Sequence, residues 1–444
     1  MSFEYQVILL ATKLANAKLE PIDEDLPHSM LPVCNRPLIS YQLELLEKAG
    51  FHSVLVVINE FDQSKIRPFV LEIYKGKIEV EFFVLKDQIG TGEILYRIRD
   101  KIKTPNFIVM NGNLIADEGF VRKMADSHRS NDASFTVLLN PPPAAPTQPT
   151  KSESIDTSFV DYIALDENAQ RILFMERATE IEDDIPISKS LLKHFPNLVF
   201  NNNLQDAQFY IFSRWVIDLI AEDQKSKNIQ FVSIKNHLIP YLLSCQVPGH
   251  GNHLPATALN YLHDLGLSMS SSASPFNPSY HINQSTTGTI KCLAYLMPRD
   301  GYCANINNLQ SYRAVNNDIA RGASSSIKPH EPRGKNNYVD PTVQVAPTSV
   351  GADCVIGMAT VLGAKSSVKK SIIGKHCKFG LSVRIENAII MDHVTVEDGC
   401  SINGSIIGNN VYIKTKLAVK DSQVASGYTV KKELKSKAVG NELE

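Results

Sequence analysis

The chain has 444 residues, 43% of them hydrophobic, enough for two or three domains with real cores. Lys and Arg (45) nearly balance Asp and Glu (47), and the net charge of −2 leaves no basic excess of the kind that marks a nucleic-acid binder. Seven cysteines without a C-x-x-C pair argue against a disulfide framework or a zinc site, and no run reaches the length of a signal-peptide core or a membrane span, so the expected setting is the reducing cytosol.

Residues 7–11 read as a buried strand, and 12–20 as the loop that follows it. A loop that wraps phosphate after a first strand needs backbone N–H groups close to oxygen, often at positive φ, and glycine supplies both. Here the first glycine of the chain is Gly50. Further strands are expected at 53–58, 78–85, 107–110 and 134–139. Helices are expected at 37–49, with apolar Leu38, Tyr41, Leu45 and Ala49 and Gly50 as C-cap, and at 94–102 and 119–128. Repeated βαβ units imply a mainly parallel, three-layer sheet. Ligands of such sheets lie outside the carboxyl ends of the strands, where the glycine-free loop and the Asn111-Gly112-Asn113 turn fall.

Residues 140–154 carry five prolines and read as an excursion loop. Strands resume at 159–165, 171–175 and 207–212, helices at 213–221 and 232–243, and the first domain is expected to occupy 1–245. Residues 246–288, rich in Gly, His, Ser, Asn and Pro, read as a linker. A small mixed segment (289–318) and a second linker (319–337) follow.

From 338 to 425 the chain repeats. Ile356, Leu362, Val368, Ile373, Phe379, Ile385, Ile390, Val396, Ile402, Ile407, Ile413 and Val419 follow steps of 6, 6 and 5, and Ile372, Ile389 and Ile406 echo the resulting period of 17. That is the signature of a hexapeptide β-helix, in which three short strands make one coil and each coil adds about 4.8 Å. Cys354, Cys377 and Cys400 each fall four residues after an aliphatic position of this phase (Val350, Ile373 and Val396) and read as small filler inside the coils. Residues 426–444 are expected to be a polar tail containing Lys431, Lys432, Lys435 and Lys437.

Several stretches carry a family resemblance: Leu31-Pro32-Val33-Cys34-Asn35-Arg36-Pro37-Leu38-Ile39, Leu45-Leu46-Glu47-Lys48-Ala49-Gly50-Phe51, Gly90-Thr91-Gly92, Leu238-Ile239-Pro240-Tyr241-Leu242 and Ser367-Val368-Lys369-Lys370-Ser371-Ile372-Ile373-Gly374. In this order, they resemble the sugar-nucleotide pyrophosphorylases and, more specifically, their relatives in the gamma/epsilon family of translation initiation factor 2B subunits. The resemblance implies a Rossmann-like nucleotidyltransferase domain with a mainly parallel sheet, followed by a left-handed parallel β-helix of hexapeptide repeats.

It also implies what each site position means. The pyrophosphorylases carry a G-x-G-T-R loop after the first strand; here 12–19 has no glycine. They hold phosphate with a lysine after the proline of the next motif; here His28 follows Pro27, and an unperturbed histidine is mostly neutral at pH 7. They bind Mg²⁺ with an aspartate in a G-D turn; here the residue is Asn113, which offers a neutral carbonyl to an ion that favours carboxylate. Together these changes argue against nucleotidyl transfer, with His28 and Asn113 as degenerate positions and no catalytic residue, metal or cofactor assigned. Gly90, Thr91 and Gly92 keep a nucleoside-contacting motif of the family, or serve equally as a tight turn entering a helix. Lys13 and Lys18 read as solvated loop lysines, and Arg36 keeps the charge of a family lysine.

The implied function is that of a non-catalytic regulatory and structural subunit of a guanine nucleotide exchange complex, which exchanges GDP for GTP on initiation factor 2. The implied partners are a catalytic epsilon subunit, in a direct heterodimer, and alpha, beta and delta subunits in a larger assembly, with no nucleic acid or membrane contact. The 25 residues after Val419 are expected to leave no room for a catalytic helical repeat. The alternative is a sugar-nucleotide pyrophosphorylase or its ligand-sensing regulatory subunit.

Overall fold

The computed structural model describes residues 4–13, 17–141, 160–168, 170–181, 185, 187–225, 231–246, 257, 260–261, 290–324, 326–327, 337–343 and 350–440. The 140–154 loop beyond residue 141 and most of the 246–288 linker therefore lie outside the described residues.

Seven strands form the main sheet of the first domain, in the order Cys292–Leu296, Phe135–Asn140, Gln205–Ser213, Asn106–Asn111, Tyr5–Leu10, Ser53–Asn59, Glu79–Leu85. All run parallel to their neighbours except Gln205–Ser213, which is antiparallel to both of its own. Apolar residues run unbroken along the central strands because both faces are covered. Ile8, Leu10, Leu55 and Val57 pack on one side with Ile94, Leu95 and Ile98 of the helix Thr91–Ile98 and with Val216 and Ile220 of Trp215–Lys225. Val7, Leu9, Val54 and Val56 pack on the other with Ile39, Leu43 and Leu46 of Leu38–Lys48 and with Phe120, Val121 and Met124 of Gly119–Ser130. A three-stranded antiparallel sheet, Ile172–Arg177, Asp161–Asp166 and Leu198–Asn201, adjoins the edge of the main one through a bridge between Arg171 and Leu293 and shares its core through Ile163, Leu165, Ile172 and Met175.

The structure corrects the expected close of the first domain at Cys245 and the separate segment over 289–318. Cys292–Leu296 is the edge strand of the main sheet, parallel to Phe135–Asn140, and Cys303–Asn305 pairs with Leu114–Ala116. Ile290, Cys292, Leu293 and Met297 are buried there; so short an apolar run builds no core of its own and completes an existing one. The helix Leu309–Arg321, capped by Asn308 and closed by Gly322 at φ +74°, then lies between the two domains.

In the C-terminal domain the 17-residue period becomes three parallel ladders, with Ile373, Ile390 and Ile407 in one column. All twelve residues marked by the 6-6-5 steps are buried in a single cluster. Ile372, Ile389 and Ile406 lie outside the cluster that fills the coils and are buried instead in a second one, shared with Leu31 and Val33 of the first domain and with Tyr312, Val315 and Ile319 of the interdomain helix. The cysteines fill interior corners: the thiols of Cys377 and Cys400 donate to Met391 O (3.1 Å) and Lys414 O (3.0 Å), as Thr360 does to Gly374 O (2.9 Å). Burial pushes the Cys377 thiol up to about 12, so it is an inert neutral group.

The polar tail expected from 426 is also corrected. Thr429–Val430, Leu434–Lys435 and Ala438–Val439 add a further coil. It is two residues shorter than the rest, pairing Val419 with Leu434 and Val424 with Val439, and that change of spacing hides it from a 17-residue pattern. Among the described residues, no helix is long and apolar enough to cross a membrane.

Candidate functional site

A cleft of about 550 Å³ opens outside the carboxyl ends of the parallel strands. Thr12, Lys13 and Asn111 line it from the strand ends, Gly90 and Thr91 from the next helix, and Asn307, Asn308 and Ser311 from the segment that enters the interdomain helix.

Gly90 is the N-cap of Thr91–Ile98, and the two glycines let that helix touch the 231–234 segment. A Cβ on Gly90 would lie 2.2 Å from Val232 O, and one on Gly92 2.1 Å from Phe231 O. Gly92 N donates to Val232 O (2.9 Å), and Thr91 Oγ1 accepts from Ile234 N (2.9 Å). The turn entering a helix thus accounts for both glycines, while Gly90 and Thr91 remain open to the cleft.

Lys13 lies 3.1 Å from the carboxylate of Asp23, whose side chain is buried, so it is not a free solvated lysine. Lys18 joins a bridge to Asn308, its N–H donating to Asn307 O (2.8 Å). Residues 14–16 of the glycine-free loop lie outside the described residues. Arg36 turns away to Glu44 (2.7 Å) and stacks 4.5 Å over the Tyr41 ring.

His28 sits in the single turn His28–Met30 and is 5% exposed. Its Nε2–H donates to Ile306 O at 3.0 Å. Burial lowers its pKa to about 4, so it is neutral at pH 7. Asn113 is fully buried. Its amide nitrogen donates to Gln208 Oε1 (3.0 Å) and to Asn307 Oδ1 (2.5 Å), and Gln208 Oε1 also accepts from Asn111 Nδ2 (2.9 Å). Gln208 can face both asparagines because its strand bulges between Asp206 and Tyr210, with Gln208 at φ +56°.

One group has no local signal in the sequence. Lys235 Nζ reaches Asp161 Oδ2 (2.8 Å) and Asp206 Oδ2 (3.4 Å), both nearly fully buried, and Tyr210 O–H donates to Asp206 Oδ2 (2.5 Å). Burial pushes the Asp206 carboxyl up, against the pull of Lys235.

The donor set does not fit Mg²⁺. The buried oxygen of Asn113 has no hydrogen-bond partner, yet it is one neutral carbonyl, and the cleft carboxylates Asp161 and Asp206 are held by Lys235. Among the described residues no group of three or more His, Cys, Asp or Glu side chains converges as a metal site.

Two family profiles match the chain: one described as nucleotidyl transferase over residues 15–149, and one described as the LbH domain of EIF2B subunit epsilon over 334–435. The chain is 56% identical over 389 residues to translation initiation factor eIF2B subunit gamma of Dictyostelium discoideum, covering 84% of this chain and 88% of that one. It is 29% identical over 347 residues to the subunit gamma of Schizosaccharomyces pombe, covering 77% of this chain and 69% of the relative. It is 22% identical over 263 residues to subunit epsilon from the same yeast, covering 58% and 37%. A nucleotidyltransferase sheet, a hexapeptide β-helix and identity at this level along most of both chains place it: the chain belongs to the family of translation initiation factor eIF2B subunit gamma.

Proposed function

We propose that this chain is a non-catalytic regulatory and structural subunit of the complex that exchanges GDP for GTP on initiation factor 2. It pairs directly with an epsilon subunit, and alpha, beta and delta subunits complete the assembly. The observation that carries this reading is the 56% identity to an eIF2B subunit gamma across most of both chains. The degenerate nucleotidyltransferase site is part of the proposal. It is supported by the neutral, buried His28 and by the amide that Asn113 turns toward Gln208 and Asn307.

The test is reconstitution. GDP release from initiation factor 2 is measured with the chain alone, with an epsilon subunit alone and with the pair. The expected result is no exchange by the chain alone and faster exchange by the pair than by epsilon alone. Pyrophosphate release from nucleoside triphosphate and sugar 1-phosphate with Mg²⁺, at ordinary enzyme rates of about 1 s⁻¹ or more, would overturn the non-catalytic assignment. The open cleft, with Gly90 and Thr91 on its wall, favours a second reading in which a nucleotide still binds without turnover. Equilibrium binding of nucleoside triphosphate to the purified chain separates the two.

A further inference from the structure

The geometry points to a new role for the two positions that, by resemblance, would meet phosphate and metal: His28 and Asn113 are the fixed end of a brace that holds the β-helix against the first domain. This goes beyond the proposed function, since it concerns how this chain presents one domain to the other.

The brace begins at residues 305–308, which separate parts of the first domain hold at once. Ile306 N–H donates to Asn113 O (2.9 Å), and Ile306 O accepts from His28 (3.0 Å). Asn307 Oδ1 accepts from the Asn113 amide, Asn307 O accepts from Lys18 N–H (2.8 Å), and the Asn305 amide donates to Asp206 O (2.8 Å).

The same segment starts the interdomain helix Leu309–Arg321. Ser311 N–H donates to Asn308 Oδ1 (2.7 Å), closing the cap. One flank of the helix is tied to the first domain, with Tyr312 O–H donating to Pro32 O (2.6 Å) and Cys34 N–H to Asn316 Oδ1 (2.9 Å). The other is tied to the coils, with Arg313 donating to Gly404 O (2.6 Å), and Tyr312, Val315 and Ile319 share one buried apolar cluster with the outward row Ile372, Ile389 and Ile406. An unbroken series of bonds and packed side chains therefore runs from the strand ends of the cleft to the β-helix.

The residue types suit this work and not the other. A lysine at 28 would carry its charge into a site 5% open to water. An aspartate at 113 would lose the amide donor and set carboxylate oxygen against Gln208 Oε1 and Asn307 Oδ1, at a fully buried position. The neutral pair supplies donors to Ile306 O, Gln208 Oε1 and Asn307 Oδ1 without burying a charge.

Hydrogen exchange of the full chain carrying Asn113→Asp, read by mass spectrometry, tests this. Exchange should rise about tenfold or more across 305–321 and in the outward row at 372, 389 and 406, while interior peptides around Ile385 and Ile402 keep their protection. The rise should be larger at pH 7.5 than at pH 5.5, since burial favours the protonated carboxyl. Asn307→Ala, which adds no charge, should loosen the same regions at both pH values, and it keeps the test available if the first variant fails to fold. Loosening confined to 305–308, with the outward row as protected as in the unmodified chain, overturns the brace. So does a Mg²⁺-dependent rise in the Tm of Asn113→Asp that the unmodified chain lacks, since that would mark a metal site wanting only its carboxylate.

Discussion

In the β-helix, Ile373, Ile390 and Ile407 stand in one column, and each repeats what the one before it does. In the cleft, Lys13, Asn111, Asp206 and Lys235 arrive from four distant parts of the chain, and no two do the same thing. Both regions are well packed, yet they store their order differently. The coils rest on redundancy, so a neighbour above and below can absorb a small change at any one level. The cleft rests on single copies, where Asp206 is shared by Lys235 and Tyr210 and Gln208 by Asn111 and Asn113, and no equivalent set stands by to replace them.

The largest expected effect tests the redundant region at its centre. Ile390→Asp places a charge inside a column where Ile390 is fully buried. The expected cost is about 4 kcal/mol or more, read as loss of soluble chain or a collapsed urea midpoint. A midpoint equal to that of the unmodified chain would mean that the column faces outward, and the contrast would fail.

The next tests the single copies through pH. The folded state holds His28 with a pKa of about 4, below the 6.5 of an unfolded chain. The unfolded state therefore takes up a proton first as pH falls. Stability should be flat above about pH 6.5 and fall by up to about 3 kcal/mol by pH 4. His128, lowered to about 3 by burial, adds to the same limb. Urea midpoints of His28→Gln across pH 4–7 should show a shallower acid limb. An unchanged slope would mean that folding does not shift the His28 pKa.

Gly90→Ala should cost about 2 kcal/mol, because the new Cβ meets Val232 O at 2.2 Å and either the helix or the 231–234 segment must move. Thermal denaturation measures it, and an unaltered Tm would place the helix start farther from that backbone. The smallest effect belongs to Cys377→Ser, at about 0.5 kcal/mol or less. The hydroxyl keeps a donor for Met391 O, as Thr360 and Ser366 do in equivalent corners. A large loss there would give this cysteine a role that its neighbours do not share.

What was legible in the sequence follows the same division. A strict period exposes an inward column even when each strand is two or three residues long, so the coils and their phase could be read from Ile356 to Val419. The echo at Ile372, Ile389 and Ile406 was visible, but its use was not, because the helix that covers it comes from 309–321 and no local spacing joins the two. The helix Glu60–Pro68 escaped for the opposite reason: it buries only Ile66, so it shows little apolar period. Cys292–Leu296 is a short apolar run whose place at the edge of the sheet depends on a partner strand over 150 residues earlier. In the cleft, His28 and Asn113 stood out only as departures from a resemblance, and Lys235 with Asp161 and Asp206 did not stand out at all. Polar groups that meet only in the folded chain leave no rhythm to read.

The shortened final coil has a further consequence. A β-helix that keeps one repeat length to its last turn offers three bare strand edges in perfect step, a ready template for another chain to extend. Here the last turn falls out of step by two residues. Its exposed rim carries Lys431, Lys432, Lys435 and Lys437. The misfit and the charge together make the edge of this coil a poor template for pairing with another chain.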